Sequence, residues 1–230
     1  MRKRTTSDEQ IETLRQGEHA WNRRRQEYPD EAAPDFSGSQ FGNADFSGFD
    51  LRGAVLQRAY LRGASLRRAC LRQANLQGAY LIGADLEQAD LFQARLVAAN
   101  LNGANLADCA FQGADLREAD CGGAELSRAD FTSADLHCVN LLGANLEGAR
   151  FFHTKGLSSR QLMAARNWAK ALFDRDLVDR LDLPFAREAE RPVLAEQQEP
   201  IAHSDQPASS GDESRRRLAT ASCSLDPSLG

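Results

Sequence analysis

Large apolar side chains recur at every fifth position between residues 36 and 151. Leu or Phe occupies all but one of these 24 positions, and the exception is Cys121. Ala usually stands two residues earlier, and the residue between them is most often Asp, Asn or another polar residue, as in Ala84-Asp85-Leu86. The region from 36 to 151 is therefore an internal repeat of five residues that keeps one register throughout.

A period of five fits neither an ordinary helix nor a flat strand. Five residues turn an α-helix by about 500°, so the apolar side chains would scatter around its axis. On a strand, an odd period would place successive apolar residues on opposite faces. The pattern buries one apolar row only if each unit forms one side of a coil and then turns a corner. Stacked coils would then satisfy each other's backbone groups around a continuous core.

The repeat resembles that of the pentapeptide-repeat proteins, whose pattern is A(D/N)LXX. The resemblance covers about half of the chain. It implies an all-β solenoid, a right-handed quadrilateral β-helix with four repeat units per coil, and therefore about six coils. We also expect short α-helical segments at both ends of this β-helix.

A coil of four repeat units predicts which side chains stack on each other, because equivalent positions four units apart become neighbours. Three successive members of one inner column are Phe111, Phe131 and Phe151, which predicts an aromatic stack. On the outside, Tyr60 should stack with Tyr80. Cys121 falls in an inward column, so we interpret it as a small buried apolar residue and not as a reactive thiol. The glycines that recur two residues after the inward position should form the corners.

The flanks predict covers for the two open ends of the solenoid. We expect an N-terminal helical cap over residues 1–35, with one amphipathic helix from residue 7 to about 27 and Trp21 as a packing residue. The β-helix should cover 36–155 and a C-terminal helical segment 156–185. That segment has a capping box at Ser158–Gln161, an apolar stripe that includes Trp168 and Leu172, and a second helix near Asp176–Leu181. The stripe could instead form a homodimer interface.

The composition changes after these elements. Residues 186–230 are rich in Glu, Gln, Pro and Ser and have few large apolar side chains, so we expect a disordered tail.

The N-terminus lacks the apolar stretch of a secretory signal, and no window is long and apolar enough to span a membrane. The five cysteines form no CxxC pair. These features lead us to expect a cytoplasmic protein.

No catalytic, metal-binding or cofactor-binding motif stands out in the chain. The four histidines lie outside zinc-binding patterns, and His137-Cys138 lacks an evident orienting third group. No phosphate-binding glycine loop precedes a helix. The repeated aspartates share one slot of the repeat, which favours bonding to the turn over acid–base chemistry. The sequence thus predicts a protein that is not an enzyme and needs no cofactor.

Basic and aromatic residues concentrate in the early part of the repeat region. Arg and Tyr often anchor protein interfaces, so these residues form our candidate interaction surface. Its members are Arg52, Arg58, Tyr60, Arg62, Arg67, Arg68, Arg72 and Tyr80.

Two functions are compatible with these observations. The first is a non-enzymatic, rigid repeat rod that binds an unidentified protein partner through its surface. The second is implied by the family resemblance, because some pentapeptide-repeat proteins mimic DNA, bind DNA gyrase or topoisomerase IV and protect it from quinolones. Residues 36–155 carry 11 Arg and Lys against 13 Asp and Glu. This near balance argues against a DNA mimic, which needs sustained negative charge, and the overall charge of −5 argues against direct nucleic-acid binding.

Overall fold

Four ladders of parallel β-bridges run through the repeat region. The computed structural model describes residues 7–181 and 193–194. Within the repeats, each bridge joins equivalent positions of units that are four pentapeptides apart, so four pentapeptides close one coil. The first ladder begins at Asp35, the second at Gln40, the third at Asp45 and the fourth at Asp50, and each continues at every fourth pentapeptide. We number the sides of the coil after these ladders. The predicted stacking of equivalent positions in successive coils is confirmed.

The inner rows of Leu, Phe and Ala form the core. Most of these side chains are fully buried, and Cys121 is only 1% exposed. The predicted phenylalanine stack is present, with ring centroids 5.0 Å apart between Phe111 and Phe131 and 5.1 Å apart between Phe131 and Phe151. It continues beyond the repeats to Phe173, at 5.6 Å.

Asp, Asn and Glu residues of the ladders fix many of the turns that follow the inward residues. The Asp85 carboxylate accepts the backbone N–H of Glu87, and the carboxylates of Asp120 and Asp130 accept the N–H two residues later in the same way. The next position has left-handed backbone geometry, for example φ 65° at Gly63, which glycine adopts without strain. The structural interpretations of the repeated aspartates and glycines are both confirmed.

Two helices, not one, cover the N-terminal end. Helix α1 spans Ser7–Arg15 and α2 spans Glu18–Glu27. The single helix expected from the sequence is wrong because Gly17, with φ 96°, interrupts it. As predicted, Trp21 is a packing residue: it is fully buried and its ring lies 6.0 Å from that of Phe36.

The C-terminal segment mixes helices with strands. After β1 (Arg150–Phe151), which ends the repeats, it contains α3 (Ser159–Met163), a 3₁₀ helix (Trp168–Lys170), β2 (Leu172–Phe173) and α4 (Arg175–Leu181). The capping box at Ser158–Gln161 and the helix near Asp176–Leu181 are confirmed. The expectation that Leu172 continues a helical stripe is wrong, because β2 pairs in parallel with β1 and extends the fourth ladder.

A third strand follows in the stretch where we expected disorder. Strand β3 (Val193–Leu194) pairs in parallel with β2. Residues 182–192 and 195–230, which hold the rest of the predicted tail, lie outside the described residues.

Candidate interaction surface

The structure divides the eight predicted surface residues between two regions. Because successive pentapeptides occupy successive sides of the coil, the arginines are distributed around it. Four residues lie on the second side or at the corner that leads into it: Arg58, Tyr60, Arg62 and Tyr80. The other four lie on the third and fourth sides or at the corner between them: Arg52, Arg67, Arg68 and Arg72.

The arginines of the third and fourth sides have partners within the rod. Arg67 donates to Asp85 at 2.9 Å and to Glu87 at 2.6 Å. The hydrogen bond to Asp85, and to a lesser extent the one to Glu87, raises the pKa of the Arg67 guanidinium. Arg72 reaches Asp90 at 3.0 Å. These guanidinium groups are therefore partly neutralised where they lie.

The two remaining arginines of that region are engaged in the same way. Arg52 pairs with Asp50 at 2.6 Å, and this hydrogen bond raises the pKa of its guanidinium. Arg68 donates to the Gln88 side chain at 3.0 Å. A partner protein would have to compete with these contacts.

The second side presents a different surface. Tyr60 and Tyr80 stack with ring centroids 4.8 Å apart and an interplanar angle of 10°, as the sequence predicted. Their exposed fractions are 44% and 40%. Arg58 and Arg62 are exposed, and neither has a side-chain hydrogen bond or ion pair with any residue that the structure describes. This side therefore combines a stacked aromatic pair with two available cations.

The same side continues as a surface of low charge. Its outward positions are the ladder residues 40, 60, 80, 100, 120 and 140 and the residues two places after each. Arg62 and Asp120 are the charged residues among these positions, all of which are described, and the corners that lead into this side add Arg58 and Glu118. The three exposed large apolar residues of the described repeats, Tyr60, Tyr80 and Leu142, all lie here. Position along the chain does not reveal this grouping, because the four-unit coil assigns each arginine to a side.

Of the groups considered for chemistry, Cys121 is buried in the core, whereas His137 and Cys138 are exposed. Burial raises the pKa of the Cys121 thiol to about 12, which disfavours the nucleophilic thiolate. His137 contacts Asp135 through its Nδ1, and Cys138 is exposed. Within the described ranges, no group of His, Cys, Asp and Glu is arranged to hold a metal ion. No described helix is long and apolar enough to cross a membrane.

The repeat geometry agrees with a known family. A family model for pentapeptide repeats matches residues 35–73, 69–108, 94–132 and 114–151, and these overlapping matches cover more than half of the chain. The chain belongs to the pentapeptide-repeat family. No curated protein sequence matches this pentapeptide-repeat protein.

Solved structures of other pentapeptide-repeat proteins are similar to this one. HetL, involved in heterocyst differentiation regulation in the cyanobacterium Nostoc sp. strain PCC 7120, is 34% identical, with a TM-score of 0.41 over 61% of this chain and 64% of HetL. Rfr23 from the cyanobacterium Cyanothece 51142 is 31% identical, with a TM-score of 0.35 over 44% of this chain and 63% of Rfr23. This chain therefore spans less than two thirds of the length of HetL and of Rfr23.

A more distant similarity is to QnrB1, a plasmid-mediated fluoroquinolone resistance protein. It is 18% identical, with a TM-score of 0.37, and the match covers 64% of this chain and 82% of QnrB1.

Proposed function

We propose that this protein is a non-enzymatic interaction rod, a right-handed β-helix of about six coils that binds a partner protein through its second side. The observation that carries the proposal is the grouping of the exposed Tyr60 and Tyr80 with Arg58 and Arg62, whose side chains are unpaired among the described residues. Tyr and Arg are enriched at the energetic centres of protein interfaces, and charged residues are depleted at interface cores.

The architecture adds to this argument. Tyr60 and Tyr80 are held by ladder bridges and by their mutual stacking, so they lose little conformational freedom on binding. In contrast, Arg67 and Arg72 would have to exchange existing carboxylate partners for new ones. The second side is therefore the part of the predicted surface that a partner can contact at the lowest free-energy cost.

The gyrase-binding alternative gains no support from the charges. The outward acidic residues of the repeats are interleaved with basic or amide side chains, as where Arg128 pairs with Asp108 at 2.6 Å. Asn145 likewise donates to Glu125 at 2.8 Å. A DNA mimic needs an uninterrupted negative surface. A supercoiling assay tests this function directly, and we expect no effect of the protein on gyrase inhibition or on poisoning by quinolones.

Affinity capture from a lysate of the source organism tests the interaction function. The full chain serves as bait beside two double variants, Arg58→Ser with Arg62→Ser and Arg67→Ser with Arg72→Ser. Both remove two arginines, but from different sides. We expect the first variant to lose the captured partner and the second to retain it. Equal capture by both variants, or turnover abolished by one point substitution in a folded protein, would contradict the proposal.

A further inference from the structure

The first coil has an incompletely paired backbone edge. In the second coil, the Tyr60 N–H donates to the Ser39 carbonyl and the Ser65 N–H donates to the Ala44 carbonyl, both at 2.9 Å. The corresponding groups of the first coil are the N–H and C=O of Gln40 and of Asp45. None of these four groups has a hydrogen-bond partner among the described residues. Among the described residues, the second and third sides of the coil therefore end in an open strand edge, as does the first side at Asp35, and another chain can add to such an edge.

Helix α2 protects the fourth side of the same coil. The Trp21 Nε1–H donates to the Asp50 carbonyl at 2.7 Å, and the Asn22 Oδ1 accepts the Asp50 N–H at 2.8 Å. Arg25 donates to the Arg52 carbonyl at 2.9 Å. Side chains thus replace the backbone of a preceding coil here. The second and third sides lack such a replacement among the described residues.

A cavity of about 570 Å³ adjoins the open edge. It lies between the junction of α1 and α2 and the first coil, and its apolar lining includes Ile11, Leu14, Phe41 and Phe46. In the inner rows of the repeats, the positions that remain partly exposed are Ser39, Phe41 and Ala44, all beside this edge. The core is therefore accessible at the place where the backbone is unpaired.

We propose that this edge binds an extended segment of a partner polypeptide, which continues the second and third ladders and places apolar side chains five residues apart in the cavity. A polypeptide is the occupant because its main chain supplies alternating N–H and C=O groups to match those of Gln40 and Asp45. The inference rests on the proposed function, because it specifies that part of the partner protein binds as an extended segment.

The edge is continuous with the tyrosine surface of the second side. Gln40 bridges to Tyr60, which bridges to Tyr80. Arg58 and Arg62 lie one coil below the edge, while Arg15, Glu18 and Asp45 line the cavity itself. One partner can therefore occupy the open edge with an extended segment and contact the tyrosines with its folded part.

The protein's own repeats provide a suitable probe for this edge. The peptide of residues 79–88, AYLIGADLEQ, occupies the second and third sides in a later coil and carries apolar residues five apart together with Asp85 and Glu87. A fluorescein-labelled form should bind the full chain in an anisotropy titration. A control peptide with N-methyl groups on Leu81 and Leu86 cannot donate to the carbonyls of Gln40 and Asp45. Because each lost hydrogen bond contributes about 1 kcal/mol, it should bind at least about tenfold more weakly.

Two variants of the protein locate the binding. Gln40→Pro removes one N–H of the edge, and Ala44→Glu places a carboxylate beside the cavity. Each should weaken binding of the 79–88 peptide by about tenfold. The Arg67→Ser, Arg72→Ser variant serves as control and should bind the peptide within about twofold of the unmodified protein, because those side chains are paired within the rod and lie outside the edge.

The outcomes separate this inference from the proposed function. Absence of peptide binding, or equal binding by the unmodified protein, Gln40→Pro and Ala44→Glu, overturns the open-edge site. Continued capture of a partner through Arg58 and Arg62 would then leave the proposed function standing. Peptide binding that both edge variants weaken supports the site, whatever the capture experiment gives.

Discussion

The two ends of the rod are closed by different means. At the C-terminal end the main chain continues the ladders: Arg166 forms a bridge with Asn145, and β2 pairs with β1. On the second side, the Gly143 N–H donates to the Ala164 carbonyl at 2.9 Å. At the N-terminal end, no backbone hydrogen bond joins the described residues of α1 and α2 to the first coil. Side chains make the polar contacts there instead.

This difference shows how a solenoid end can be closed completely or in part. A continuing main chain satisfies several backbone groups on successive sides, whereas a helix satisfies only those that its side chains reach. Helix α2 reaches the fourth side through Trp21, Asn22 and Arg25. The N-terminal end therefore depends on a few anchoring side chains and keeps an edge available for binding. Three substitutions test this contrast.

The largest effect is expected at the main anchor of the N-terminal cap. Trp21→Ala should lower the free energy of unfolding by about 3–5 kcal/mol, because it removes a fully buried ring and the hydrogen bond to the Asp50 carbonyl. Denaturant titration measures the loss, and amide hydrogen exchange should show faster exchange in α1 and α2. Tyr28→Ala is the control, since Tyr28 is 54% exposed and its ring lies 5.7 Å from the Arg24 guanidinium carbon. Equal losses in the two variants would mean that the cap is anchored elsewhere.

A smaller effect is expected at the C-terminal end. The Gln161 amide accepts from Ser158 and donates to the carbonyls of Leu136 and Val139 at 3.2 and 2.9 Å. Gln161→Glu keeps the oxygen that accepts from Ser158, but it replaces the donating NH₂ group with a second oxygen that faces the carbonyls of Leu136 and Val139. It should lower the free energy of unfolding by about 2 kcal/mol in denaturant titration, since two hydrogen bonds are lost.

Ser158→Ala provides the comparison for that variant. It removes the side-chain cap of α3 and should cost about 1 kcal/mol. If Gln161→Glu costs no more than Ser158→Ala, the amide contributes only to the helix cap, and the contact between α3 and the rod is weaker than its geometry indicates.

The sequence was sufficient to predict the repeat region because every unit has the same length. No offset accumulates, so the five-residue unit and the four-unit coil together determine which residues are buried and which stack, including Phe111 on Phe131 and Tyr60 on Tyr80. The ends could not be predicted in this way. Phe173 joins the phenylalanine stack from outside the register of the repeats, so a search at the repeat spacing does not find it.

The break between α1 and α2 has a related explanation. Gly17 interrupts the helix, but Ile11, Leu14 and Trp21 on either side of it all pack toward the core. Their spacing in the sequence is therefore the same as that of one continuous amphipathic helix. The division of the eight candidate residues between the second side and the third and fourth sides follows from the coil of four units. The pairing of Arg67 with Asp85 and Glu87 does not, because the orientation of long side chains depends on the neighbouring coil.

The smallest effect is expected at the open edge itself. Gln40→Pro should change the free energy of unfolding by no more than about 0.5 kcal/mol, because the N–H that proline lacks has no described partner. The matched control is Tyr60→Pro, one coil further along the same ladder. It removes the hydrogen bond to the Ser39 carbonyl and should cost about 3 kcal/mol or more. Denaturant titration of both variants measures the difference. If Gln40→Pro costs as much as Tyr60→Pro, the Gln40 N–H is already paired in solution, and both ends of the rod are closed.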